Sequence, residues 1–377
     1  MRIVEEEQLD FDDVSIMPKR SSLNSRSEVN LFRTFKWIGK SGEQHELTCK
    51  PLMVANMGTV GTPKMAKYIV PRGYLIALEK HYKYEYIANV YYDLMGLATT
   101  QGKDKFFYTD KIAVSIGLKE SLWLLKRLSK EFKINIVNFD IPNGYCPNVM
   151  TRLVELRKIF PEAFIIVGTV VTGDIVSDLI MHGANVVRCG ICCGSSCLTS
   201  MKTGVRRPII SMLNECSDAA HNLKGYIMQD GGIRCPADWC KATIAGGDLC
   251  MSGSIFAGTD QALGEIIEKK YLTNELDENG KQVAVTKKFK MYYGMSSDYA
   301  QNKHFGGVKS YRTSEGRQKL IPYTGNLDDV LRDYEGGMAS MMCYIGAKNF
   351  KDIQRHGTFY KVRHQINDVF AKCEDFS

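Results

Sequence analysis

The stretch "KGYIMQDGG" (224–232), followed shortly by "GDLCMSG" (247–253), decides how this chain folds. Each is a short apolar run that breaks off into glycines and small polar residues. A run without polar alternation suits a strand buried on both faces, as in a parallel sheet. The glycines after it leave backbone N–H groups open to close approach by an anion. Working upstream, comparable runs are "ANVVRCG" (184–190), "AFIIVG" (163–168), "INIVNFD" (134–140), "KIAVSIG" (111–117), "GYLIAL" (73–78) and "PLMVAN" (51–56).

Several intervals have helical spacing. "ESLWLLKRLSKEF" puts Leu122, Leu125, Leu128 and Phe132 roughly on one face, and "NVMTRLVELRKIF" does the same with Val149, Leu153, Leu156 and Phe160. Eight such units predict an α/β fold, a (β/α)8 TIM barrel, with an open doubly wound sheet as the alternative. We expect one catalytic domain over 1–377, with barrel strands at about 51–253 and a flap and C-terminal segment at about 259–377. Within the latter, 271–290 reads as a polar hairpin with Glu278-Asn279-Gly280 at its tip.

A barrel places its active site after the C-terminal strand ends, with phosphate after the last two strands. Asp230, Gly231 and Gly232 follow the seventh run, and Ser252, Gly253 and Ser254 the eighth. "DIPNGY" (140–145) follows the fourth. The sixth opens into "RCGICCGSSCLTS" (188–200), which carries Cys189, Cys192, Cys193 and Cys197.

Composition narrows the classes. The chain has 49 Lys+Arg against 42 Asp+Glu, a mild excess without a basic block, so nucleic acid is not an expected partner. The N-terminus lacks a signal-type apolar core and no apolar run approaches a membrane span, so no membrane partner and a cytoplasmic location are expected. Twelve cysteines in such a chain read as thiols rather than a disulfide framework. The spacing 189, 192, 193, 197 lacks the second pair that a zinc ribbon needs and differs from iron–sulfur patterns. Cys189, at a strand end, suits a small buried hydrophobe. Cys197 follows a Gly/Ser loop and precedes the hydroxyl of Thr199, where a nucleophilic thiol and simple packing both remain open.

The cysteine loop, with its surroundings, resembles the GMP reductase branch of the IMP dehydrogenase/GMP reductase family, whose loop runs close to G-V-G-P-G-S-V-C-T-T-R. Further fragments in the same order include "VANMGTVGTPKMA", "LEKHY", "FDIPNGY", "KTGVRRP", "ECSDAAHNLKGYIMQDGG", "YYGMSS" and "YRTSEG". The chain has no room for the accessory nucleotide-binding insertion usual in the dehydrogenases. It carries Lys303-His304 where they use an Arg-Tyr pair to activate water.

The resemblance implies reductive deamination of GMP to IMP and ammonia with NADPH. IMP dehydrogenase activity, or a deoxy or modified purine nucleotide as substrate, is the alternative. Cys197 would be the nucleophile, with Thr199 and Glu315 as proton relay and Lys80 at the reaction centre. GMP would be held by Asp230, Gly231, Gly232, Gly253, Ser254, Gly294, Met295, Ser296, Arg312, Thr313, Ser314 and Gly316. The cofactor would meet Ser25, Arg26, Lys80, Asp140, Ile141, Pro142, Ile191, Cys192, Met295 and Tyr311. Ser340, Met341, Met342 and Cys343 would reach it from a neighbouring subunit, which implies a homotetramer. A K+ ion would bind carbonyls of Cys192, Gly194 and Cys197. The chain departs from the family pattern at Gly58, Glu79, Thr169, Cys192, Cys193, Leu198 and Ser200.

Overall fold

The computed structural model describes residues 3–276, 278–307 and 313–363. Two strands, β1 (Val14–Ile16) and β2 (Arg33–Ile38), come first. Eight follow: β3 (Gln44–Val54), β4 (Tyr74–Leu78), β5 (Ile112–Ile116), β6 (Ile136–Asp140), β7 (Phe164–Val170), β8 (Val186–Cys189), β9 (Tyr226–Asp230) and β10 (Leu249–Ser252). They pair in parallel in chain order, and β10 returns to β3 with Cys250 opposite Leu52 and Ser252 opposite Val54. The sheet is a closed barrel with helices between its strands, which removes the open-sheet alternative.

Alternation along each strand explains the continuous apolar runs. Successive side chains point to opposite faces. Met53, Leu75, Ala77, Ala113 and Ile136 fill the barrel interior, while Leu52, Ile76, Leu78, Ile112 and Val137 face the helices. Both faces are buried, so most positions on both are apolar. The helix Pro147–Ile159 buries Val149, Leu153 and Leu156 as its spacing predicts. The "ESLWLLKRLSKEF" helix is shorter than expected, only Trp123–Leu128, and Phe132 packs from the turn that follows.

The first barrel strand starts earlier than the apolar run. Residues 44–49 of β3 pair antiparallel with β2, with Phe35 opposite Leu47. This hairpin plugs the N-terminal mouth. Phe35 is fully buried, with its ring 5.8 Å from Phe164 and 5.1 Å from Tyr226.

Beyond the barrel, β11 (Ile266–Leu276) and β12 (Gln282–Tyr293) form the expected hairpin, longer than its polar core suggested. β13 (Gln318–Pro322) adds a third strand to it, and β14 (Phe359–Lys361) pairs with β1. No helix among the described residues is long and apolar enough to cross a membrane.

Candidate active site

Strand β8 ends at Cys189, which is fully buried, and the chain then turns into the cysteine loop. Cys192 takes a left-handed backbone, φ +60°. For a residue with a Cβ this costs roughly 1–2 kcal/mol. Ser200 holds it there: its N–H donates to the Cys192 sulfur at 3.0 Å, and the thiol donates to its Oγ at 3.1 Å. Two departures from the family pattern, at 192 and 200, are thus direct neighbours. Cys193 packs inward, and burial pushes its thiol up to about 12.

Cys197 is set differently. Its sulfur lies 3.2 Å from Thr199 Oγ1, and that hydroxyl donates to Glu315 Oε2 at 2.7 Å. With the threonine proton given to the carboxylate, the thiol proton is placed to donate to the threonine oxygen. The three groups form a continuous proton path. Burial raises the Cys197 thiol above its ordinary value, and Thr199 offsets part of that. The thiol therefore rests protonated at neutral pH and needs this path to become a nucleophile.

Glu315 is brought here by backbone pairing. Cys197 and Gly316 form an antiparallel bridge, Leu198 N–H donates to Glu315 O at 2.6 Å, and Arg317 N–H donates to Ser196 O at 2.9 Å. The flap is laid on the cysteine loop as a short strand pair. On the same flap, Ser314 Oγ lies within hydrogen-bonding distance of the carbonyls of Ser296 and Gly316, at 3.1 and 3.0 Å, and can donate its proton to either. Gly294, Met295, Ser296, Ser314 and Gly316 are therefore together. Thr313 is exposed beside them, and Tyr311 and Arg312 lie outside the described residues.

Beneath the loop the barrel interior turns polar. Arg188 projects inward from β8 and donates to Asp230 at 2.5 Å, Asp140 at 2.9 Å and Asn138 at 3.2 Å. Burial alone would disfavour its charge, but the two carboxylates hold it. Burial would likewise raise Asp140, yet Arg188 and Lys80 keep its carboxyl below the usual range. Lys80, just past β4, sits 3.5 Å from Glu120 and 3.7 Å from Asp140. The backbone makes room for Arg188 at Gly168, φ +154°, where a Cβ would lie 2.5 Å from the Arg188 carbonyl.

Gly231, φ +78°, approaches the cysteine loop so closely that a Cβ would lie 3.0 Å from Gly194 N. The loop after β9 and the cysteine loop are thereby packed together. Gly253 and Ser254 follow β10, with Ser254 opening a one-turn helix. A cavity of about 600 Å³ lies against Ser254, Ser195 and Lys319, within the size range of small-molecule sites. At Gly58 a Cβ would meet the Tyr293 hydroxyl at 2.5 Å, so the Tyr293 ring occupies the room an acidic side chain would need.

The remaining candidates divide. Lys80, Asp140, Ile141, Pro142, Ile191 and Cys192 follow the ends of β4, β6 and β8, all at the C-terminal mouth. Ser25 and Arg26 instead flank a turn packed on the helix Leu327–Ile345, which carries Ser340 to Cys343 in the outer layer. Met342 is fully buried and Met341 nearly so within the chain. They serve the helix core, leaving Ser340 and Cys343 partly exposed. Residue reading missed Arg188. Its signal was a charged residue inside an apolar run, which requires buried partners.

A family model described as the IMP dehydrogenase / GMP reductase domain matches residues 8–366. Mouse GMP reductase 1 is 39% identical over 374 residues, covering 98% of this chain and 99% of its own. The GMP reductase of Caenorhabditis elegans is 37% identical over 375 residues, covering 99% and 97%. That of Buchnera aphidicola subsp. Schizaphis graminum (strain Sg) is 38% identical over 379 residues, covering 98% and 99%.

Proposed function

The chain belongs to the IMP dehydrogenase/GMP reductase family, and from that premise we propose that it is an oxidoreductase converting GMP to IMP and ammonia with NADPH. The observation that carries the mechanism is the Cys197–Thr199–Glu315 path. Cys197 gives its proton through Thr199 to Glu315, and the thiolate attacks C2 of the purine. The same path, run backwards, returns a proton to the exocyclic nitrogen, and ammonia leaves. The purine then remains joined to Cys197 as a thioimidate. A reduced nicotinamide, when bound, supplies hydride to that carbon. The C–S bond breaks, and the thiolate recovers a proton drawn from solvent through Glu315 and Thr199. Covalent capture splits one difficult displacement into two easier steps.

For the substrate phosphate we assign Gly231, Gly232, Gly253 and Ser254, supported by their place after β9 and β10, with Ser254 lining the cavity. Asp230 faces the ribose while held by Arg188. Gly294, Met295 and Ser296 with Thr313, Ser314 and Gly316 frame the base, and Arg312 joins them by the sequence pattern.

For the nicotinamide cofactor, Lys80 and Asp140 fit as a charged floor, and Pro142 is exposed at the mouth beside them. Arg26, an exposed cation, suits the extra phosphate of NADPH. Its position in the outer layer beside Ser340 and Cys343 favours a cofactor shared between subunits, and hence a homotetramer. A K+ ion would bind the carbonyls of Cys192, Gly194 and Cys197, which one tight loop supplies, and would fix that loop's shape. Gly194 O already accepts from Cys197 N–H at 3.0 Å, and a carbonyl oxygen keeps a second lone pair for an ion.

Absorbance at 340 nm tests the reading. Loss of signal with GMP and NADPH, absent in Cys197→Ala, is the expected result. A gain with IMP and NAD+ and none of the first would move the chain to dehydrogenase chemistry.

A further inference from the structure

We infer that Glu79, His81 and His304 form a site for a divalent transition-metal ion of the zinc class, tying the end of β4 to the flap. Glu79 follows β4 directly, with its N–H donating to Gly61 O at 2.8 Å. Its side chain is 6% exposed. Oε1 accepts from His81 N–H at 3.1 Å, and this turn brings His81 Nε2 to 3.7 Å from the same oxygen. His304 comes from the last turn of the helix Asp298–Phe305 and stacks on His81, ring centroids 4.2 Å apart and planes at 24°. One ligand atom from each residue lies within 4.8 Å of the other two.

A tetrahedral zinc ion with ligands at 2.0–2.1 Å spaces them about 3.4 Å apart. The three atoms therefore need to close by little more than an ångström, and the two stacked rings must turn so that their in-plane lone pairs converge on one ion. The flap helix is closed at this end by Gly306 and Gly307, both at positive φ. Two imidazole nitrogens and one carboxylate oxygen suit zinc, cobalt, nickel or copper, whereas magnesium and calcium favour all-oxygen sets. Three protein ligands leave one position for water. Lys80 and Lys303 are close, but Glu120 and Asp140 also face His81 and offset the first of them.

The site is separate from the cysteine loop, and Glu79 is a point where the chain departs from the reductase pattern. An ion bound here would clip the flap helix to the barrel rim next to Lys80. The flap carries Glu315 further along, so such a clip would slow flap opening and turnover.

The test is Zn2+ binding to the purified chain without nucleotide, by competition with a chromophoric chelator, together with the visible spectrum of the Co2+ form. We expect one ion per chain and four-coordinate Co2+ bands. Glu79→Gln and His304→Ala should each weaken Zn2+ more than about 100-fold, beyond the effect of losing a hydrogen-bond partner of a ligand. Cys192→Ala and Cys197→Ala should bind as the parent does. Hydrogen exchange over 298–307 should slow with Zn2+ in the parent and not in Glu79→Gln. His81→Ala, with melting curves on every variant, separates loss of a ligand from loss of fold. Absence of binding, binding lost only in the cysteine variants, or flap exchange unmoved by Zn2+ would each overturn the proposal. Since nucleotide is absent from the assay, this outcome and that of the GMP reaction are independent.

Discussion

The two mouths of the barrel are made from the same eight strands and are built in opposite ways. At the N-terminal mouth, Phe35, Leu47 and Cys49 of the β2–β3 hairpin close the interior with apolar contacts. At the C-terminal mouth the interior holds Arg188, Asp140, Asp230 and Asn138, and above them a thiol is linked through Thr199 to a carboxylate 116 residues beyond that threonine. One end lowers the free energy by burial. The other keeps charges and a left-handed Cys192 in place by mutual satisfaction. Changes at the first should therefore register in stability and changes at the second in rate.

Substitutions can break that division. Cys197→Ala should lower kcat/KM for GMP by more than about 10⁴-fold, since no other group can form the covalent state, while the melting temperature stays near the parent's. Thr199→Val and Glu315→Gln should each fall about 10²- to 10⁴-fold, the range for one acid–base contribution. A double variant that falls no further than the singles would show the two acting as one path. Phe35→Ala should cost about 3–5 kcal/mol in denaturant unfolding with KM for GMP unchanged; a rate loss larger than the stability loss would blur the contrast between the mouths.

The thiol gives a sharper measure. Its value is raised, so the thiolate fraction at neutral pH lies below that of a free cysteine. Iodoacetamide labelling of Cys197 should climb about tenfold per pH unit from 7 to 8 and level off only above the ordinary value near 8.5. Thr199→Val should push that plateau higher, because Thr199 favours the thiolate. The smallest effect is expected at the N-terminal side. Lys224, φ +59°, ends the helix Ile209–Asn222 in a left-handed conformation. Lys224→Gly should gain about 1 kcal/mol in unfolding free energy without touching turnover. At Cys192 the same change would also remove the Ser200 contacts, so its net effect on stability should be smaller.

Much of this is legible in the sequence itself. Val149, Leu153 and Leu156 line one face as their spacing says, and the Gly231-Gly232 and Gly253-Ser254 endings fall at the mouth where barrel logic puts them. The plugging hairpin was not read, although "RTFKWI" alternates with Phe35 and Trp37 on one side. Its partner residues 44–49 are mostly polar outward, so they carry no run. Glu315 was reached by resemblance alone, because nothing local to it distinguishes a flap carboxylate from a solvated one.

The sequence by itself determined eight strands of an α/β fold, since burial on both faces writes itself into most positions of each run; closure into a barrel came from the pairing of β10 with β3. It also marked the mouth at which chemistry occurs, because strand ends and glycines are local features. Only the tertiary structure decided which other polar groups meet there: Arg188 with Asp140 and Asp230, Cys192 with Ser200, and Glu79 with His81 and His304. Hydrogen bonds and ion pairs act over a few ångströms in space and leave no period along the chain, so closure of the barrel and flap had to bring these partners together before they could be seen.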